Sequence, residues 1–147
     1  MPEVVVPSVY FEKPGPQNTA RTLALAKQRA DELGIRTVVV ATTRGDTGVA
    51  AARLFRGYDL VVVTHSTGFG GPNTQELVAG NRATIEAEGA RILTCQHALG
   101  GVNRAVRRKL GPVQLDEIIA HTLRIFGQGL KVCVEITLMA ADAGLIH

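Results

Sequence analysis

Four short runs of β-branched and apolar residues punctuate the chain, at residues 37–41 (TVVVA), 60–64 (LVVVT), 91–95 (RILTC) and 131–137 (KVCVEIT). The first three are each followed by a stretch rich in Gly and Thr and then by a helical pattern. A further run at residues 8–11 (SVYF), with an edge piece at residues 4–6, precedes them. Strand, turn and helix in that rhythm is the signature of βα units. The two runs at 37–41 and 60–64 are apolar at consecutive positions rather than alternating, as parallel strands covered on both faces require. The pattern predicts an α/β domain of three layers around a mostly parallel sheet of five strands.

The helices between the runs carry recognisable ends. Asn18 or Thr19 caps a helix with Leu23, Ala26, Ala30 and Leu33 inward, closed by Gly34. Asp46 or Thr47 starts a shorter one through Ala50, Leu54 and Phe55 to Gly57. Asn73 with Glu76 three residues on reads as a capping box for a helix through Leu77, Val78 and Ile85 that stops at Gly89. Residues 115–126 place Leu115, Ile118, Ile119, Thr122 and Ile125 on one side, ahead of Gly127 and Gly129. The closing stretch MAADAGLI reads either as helix or as an ordered tail.

At 147 residues, 46% hydrophobic and without a repeat or a Pro/Ser linker, residues 1–147 read as one domain. A chain of this size buries roughly 68–70% of its unfolded surface and needs no disulfide or metal to hold a core. Cys95 and Cys133, set in apolar runs, therefore read as small reduced core residues of a cytoplasmic protein. No segment approaches the ~20 apolar residues that cross a bilayer, and the N-terminus lacks the positive start of a signal peptide. The net charge of +3 suits an anionic small molecule. With aromatics at 4%, it sets nucleic acid aside as a partner. The Arg104, Arg107, Arg108 and Lys109 cluster reads as a solvated helix face, the alternative being that it steers an anion.

Chemistry gathers in the loops after the runs. If the strands are parallel, these loops share one sheet edge, where open α/β folds hold ligands. Thr42, Thr43, Gly45, Thr47 and Gly48 offer hydroxyls, unobstructed amides and a helix N-terminus to a phosphate; the alternative is an ordinary capped turn. His65 and His97, just past strand ends, are candidates for acid/base work, or else only bond loop backbone. Ser66, Gly68 and Phe69 share the loop of His65. Glu135 accepts hydrogen bonds from a ligand or faces solvent on an edge strand. The scattered His and Cys residues predict no metal site. His121 and His147 read as structural or surface.

Residues 18–64, NTARTLALAKQRADELGIRTVVVATTRGDTGVAAARLFRGYDLVVVT, resemble the C-terminal α/β domain of pyruvate kinase in a Thr-Ala-Arg helix start, an apolar strand ending in Thr, an Ala-Arg-Leu helix and an Arg-Gly turn. With YFEKPG, THSTGFGGPN, QHALGG and VCVEITLMAADAGLI, the whole chain is similar to the stand-alone pyruvate kinase α/β-domain-like proteins of archaea and bacteria. That resemblance implies strand order 3-2-1-4-5 with the last strand antiparallel, and no pyruvate kinase activity, since the catalytic barrel is absent. It also implies flavin mononucleotide (FMN) as ligand. The crevice rule then puts the ligand between residues 13–19 and 96–101, its phosphate meeting Asn18, Thr19, Thr43, Gly45, Thr47 or Gly48. Two other functions stand beside this binding role. One is a flavin-dependent oxidoreductase or phosphate-ester enzyme using His65 or His97, and the other a ligand-sensing or assembly module that forms homo-oligomers.

Overall fold

The structure, a computed structural model, describes Glu3 and residues 5–147. A 3-10 turn, Pro16–Asn18, leads into α1, Thr19–Leu33. Then come β1 (Thr37–Ala41), α2 (Asp46–Leu54), β2 (Asp59–Val63), α3 (Ala79–Ala87) and β3 (Arg91–Leu93). Three helices complete the chain: α4 (Val102–Leu110), α5 (Leu115–Arg124) and α6 (Gln128–Asp142). Gly34 closes α1 in the left-handed conformation at φ 67°, which a glycine enters without steric cost.

Among the described residues the sheet has three strands, all parallel, in the order β1-β2-β3. β2 is therefore central, with Val39 opposite Val61 on one side and Ile92 opposite Val62 on the other. Side chains alternate across it, as the pleat requires. Leu60 and Val62 face Ala51, Ala52, Phe55 and Ile85 of α2, α3 and their ends. Val61 and Val63 face Ile136, Met139 and Ala140 of α6. The layers are helix, sheet, helix, as the sequence predicts, and burial on both faces explains the unbroken apolar run of β2.

The five-strand expectation is corrected at both ends. Residues 131–137 lie inside α6. Val132, Ile136, Met139 and Ala140 recur there at helical spacing and reach the sheet together, a face that an extended run would have split. Residues 8–11 form no strand. Val6, Pro7, Val9 and Phe11 instead line a hollow against Thr22 and Leu25 of α1. Pro7 withholds one ladder amide from that segment; Val4, part of the predicted edge piece, lies outside the described residues. The implied order 3-2-1-4-5 is also replaced, because the strand at 60–64 was to stand at an edge and is central. Short βα connections pair consecutive strands, so the order never reverses.

Two further expectations change. The Asn73 capping box does not form: Asn73 sits in a turn at φ 56°, and α3 begins at Ala79. A capping box occurs instead at Gln114 and Glu117, opening α5. Cys133 is exposed on α6 and Cys95 half-buried, so only the latter is partly a core residue.

Candidate functional site

Three parallel strands deliver their carboxyl ends to one edge, and the first half of α6 folds across it. Between them lies a cleft of about 350 Å³. Its floor is made by Ala41, Thr42, Val63 and Thr64 at the strand ends, with Thr43 and Thr47 at the start of α2. His65, Phe69 and His97 stand on the loops after β2 and β3, while Arg104, Arg124, Gln128, Lys131 and Glu135 come from α4, α5 and α6. The volume falls within the ~300–1,000 Å³ of small-molecule sites.

The turn after β1 is organised by one hydroxyl. Thr42, buried, accepts the Gly45 amide at 3.1 Å and the Gly48 amide at 3.3 Å on its Oγ1. Those two glycines serve the turn and the packing, their amides being given to Thr42. Gly45 has φ 105°, and a Cβ on Gly48 would stand 2.8 Å from Ile85 Cδ1. What the turn leaves for the cleft is Thr43, Thr47 and the positive end of α2.

The two histidines are held differently. His65 Nδ1 lies 2.7 Å from Glu76 Oε2 and donates its proton to that carboxylate. The lone pair of His65 then resides on Nε2. His97 does the reverse, its Nε2 accepting the Ser66 amide at 3.3 Å, so its proton sits on Nδ1. Burial pushes the His97 imidazole below the usual histidine range, against the pull of Glu135 and together with nearby Arg104. The two imidazoles and Phe69 form a cluster, with the Phe69 centroid 4.1 Å from His65 and 4.9 Å from His97, the latter stacked, and the imidazoles 5.5 Å apart. The Arg104 guanidinium lies 5.1 Å from the same Phe69 ring centre.

At the α6 wall Lys131 and Glu135 form a buried ion pair one helical turn apart. Glu135 Oε1 also accepts the Leu99 amide at 3.1 Å, tying α6 to the loop after β3. A carboxylate so placed neither faces solvent nor lies on an edge strand, and both partners line the cleft. Thr64, buried beside them, shares a 2.7 Å hydrogen bond with the Thr94 hydroxyl.

Of the predicted site residues, Thr42, Thr43, Thr47, His65, Phe69, His97 and Glu135 come together in the cleft. Ser66 and Gly68 line a smaller neighbouring hollow of about 160 Å³, shared with Phe69, His97 and Arg104. Asn18 and Thr19 lie outside these walls: the Asn18 side-chain amide donates to the Lys13 carbonyl at 2.7 Å, and Thr19 opens α1. The crevice predicted between residues 13–19 and 96–101 is thereby replaced by one roofed by α6. Arg124, Lys131 and Glu76 are the residues that motif reading missed. Lys131 and Glu135 stand at i and i+4, a helical ion-pair spacing legible only once residues 131–137 are read as helix. Arg104, read as solvated, is half-buried in the cleft wall.

No protein-family model matches the chain. Among the described residues no helix is long and apolar enough to cross a membrane. No group of three or more His, Cys, Asp or Glu side chains among them is placed to hold a metal ion.

Proposed function

We propose that the chain binds a phosphorylated small molecule in this cleft, with FMN the first ligand to test because the pyruvate kinase α/β-domain resemblance implies it. One observation carries the reading. Arg104, Arg124 and Lys131 line the cleft against a single carboxylate, Glu135, which is itself occupied by Lys131. A partly desolvated hollow with surplus guanidinium charge, two threonine hydroxyls and a helix N-terminus attracts a phosphate monoester more than a neutral or cationic compound. His65, Phe69 and His97 together give one wall of the cleft a cluster of flat rings, the side against which a heterocycle would lie.

The experiment is a thermal melt of the purified chain with FMN at millimolar concentration. Ligand at 100 times its Kd adds about 2.7 kcal/mol, which in a domain of this size raises Tm by roughly 5–10 °C. Arg124→Ala should lower the FMN affinity about tenfold or more, as loss of a charge-assisted contact does. An unchanged Tm with FMN, and with a panel of other phosphate monoesters, would sink the proposal.

A second reading, an acid/base enzyme, is favoured by the His65 and Glu76 pair. Its Nε2 carries the lone pair, and Glu76 fixes the tautomer, the arrangement of an oriented general base. His97 has given its lone pair to Ser66, so proton transfer falls to His65. On this reading His65→Ala lowers turnover by about 10²–10⁴-fold with ligand affinity retained. Loss of affinity without any turnover to lose would favour a sensor.

A further inference from the structure

Beside the cleft lies a second hollow of about 440 Å³ between α4 and α5. Arg107 and His121 stand in its wall beside the apolar Leu99, Val113 and Ile118. Two residues line both hollows, and both are arginines, Arg104 and Arg124. Among the described residues neither is ion-paired with a carboxylate. Arg124 gives its Nε to the Gln128 side-chain oxygen at 2.7 Å, which leaves its terminal nitrogens uncommitted by that bond. Arg104 lies against the Phe69 ring. Arg107, which lines the second hollow and not the cleft, is by contrast compensated by Glu117 at 3.4 Å.

Two uncompensated guanidiniums at the partition between two compartments favour an anion lying at the partition itself. The anion has to carry an organic group on each side if both compartments are to be filled. A diphosphate bridge has that form, with negative charge in the middle and a substituent at either end, and guanidinium forks match its oxygens. The wall beyond, apolar but for His121 and the Arg107–Glu117 pair, suits a nucleoside, and its volume is that of a small-molecule site.

We propose that the cleft takes a dinucleotide, a diphosphate diester whose bridge lies at Arg104 and Arg124 and whose second nucleoside enters the α4–α5 hollow. This rests on the reading of the cleft as a phosphorylated-ligand site and names its ligand class. FMN and flavin adenine dinucleotide (FAD), identical but for the adenylate added through a diphosphate, are the probes, titrated calorimetrically into the purified chain. FAD binds at least about tenfold more tightly than FMN, because the second half adds its contacts at high effective concentration. Arg107→Ala and His121→Ala, which touch the second hollow alone, lower FAD affinity about tenfold and leave FMN affinity within about twofold, which also shows that the variants fold. Arg104→Ala weakens both ligands. FMN binding with FAD no tighter would overturn the dinucleotide and spare the cleft reading. FAD binding more tightly but indifferent to both second-hollow variants would overturn the placement of the second nucleoside, and absence of binding by both flavins would overturn the two readings together.

Discussion

Residues 37–90 and residues 102–126 are both apolar-rich stretches that carry two helices each, yet they pack to opposite extremes. In the first, Ala51, Val61, Val62 and Ile85 are 0% exposed. In the second, Leu110, Leu115, Ile125 and Phe126 are each at least 70% exposed, and only Asp116 and Ala120 are buried. The difference is the sheet. β2 offers a flat apolar surface on each face, so any helix laid on it is buried along a whole stripe. α4 and α5 have no strand beneath them. α5 packs on α6 and α4 on α5, helped by the Gln114 and Glu117 capping box and by the Arg107 and Glu117 pair, which are polar and partly solvated. The candidate cleft lies on this division, with strand ends and threonines from the consolidated half and Arg104 and Arg124 from the other.

Substitutions can break that comparison, the largest effect coming where the halves are joined. Glu135→Ala leaves Lys131 buried without its counter-charge and frees the Leu99 amide, and should cost about 3–5 kcal/mol in chemical denaturation. A cost below about 1 kcal/mol would mean that the pair does not anchor α6, the helix that packs on both halves. Ile85→Ala, in the consolidated half, should cost about 2–5 kcal/mol by transfer loss and cavity. A smaller, pH-dependent effect belongs to His97. Its proton affinity is depressed by burial, so below about pH 6.5 the unfolded chain takes up a proton that the folded chain refuses. Its contribution to stability is therefore held above that pH and lost as the pH falls. Tm should drop between pH 7.5 and pH 5.5, and His97→Gln should flatten the profile; an equal slope in the variant would assign the effect elsewhere. Smallest of all, Ile118→Ala on α5 should fall within about 0.5 kcal/mol, as exposed substitutions do. If it costs as much as Ile85→Ala, the contrast between the halves is wrong.

How much of this the chain discloses by its letters follows the same division. TVVVA, LVVVT and RILTC announce buried parallel strands because an apolar run bounded by glycine loops has a local signature. The strand ends therefore locate Thr42, Thr43, Thr47, His65, Phe69 and His97 before any fold is known. KVCVEIT misleads because Val and Ile at alternate places satisfy a strand as readily as a helix. The arbiter is length, since α6 runs unbroken over 15 residues. Glu76 misleads for another reason: its spacing from Asn73 fits a capping box, but its carboxylate is taken by His65 from the start of the same loop. Arg104, Arg124 and Lys131 gain their meaning only from how α4, α5 and α6 cross the sheet edge. Tertiary placement of that kind leaves no periodic mark in the sequence.

The Thr42 hydroxyl has a consequence for the turn beside the cleft. Its oxygen is engaged by two amides of the turn, which leaves its hydrogen as the group free to be given away. An occupant that accepts this hydrogen polarises the hydroxyl and makes its oxygen a better acceptor, strengthening both bonds that shape the start of α2. One side chain would thus couple an occupant of the cleft to the firmness of the turn beside it. Thr42→Val, which keeps the shape and removes the hydroxyl, would sever that coupling.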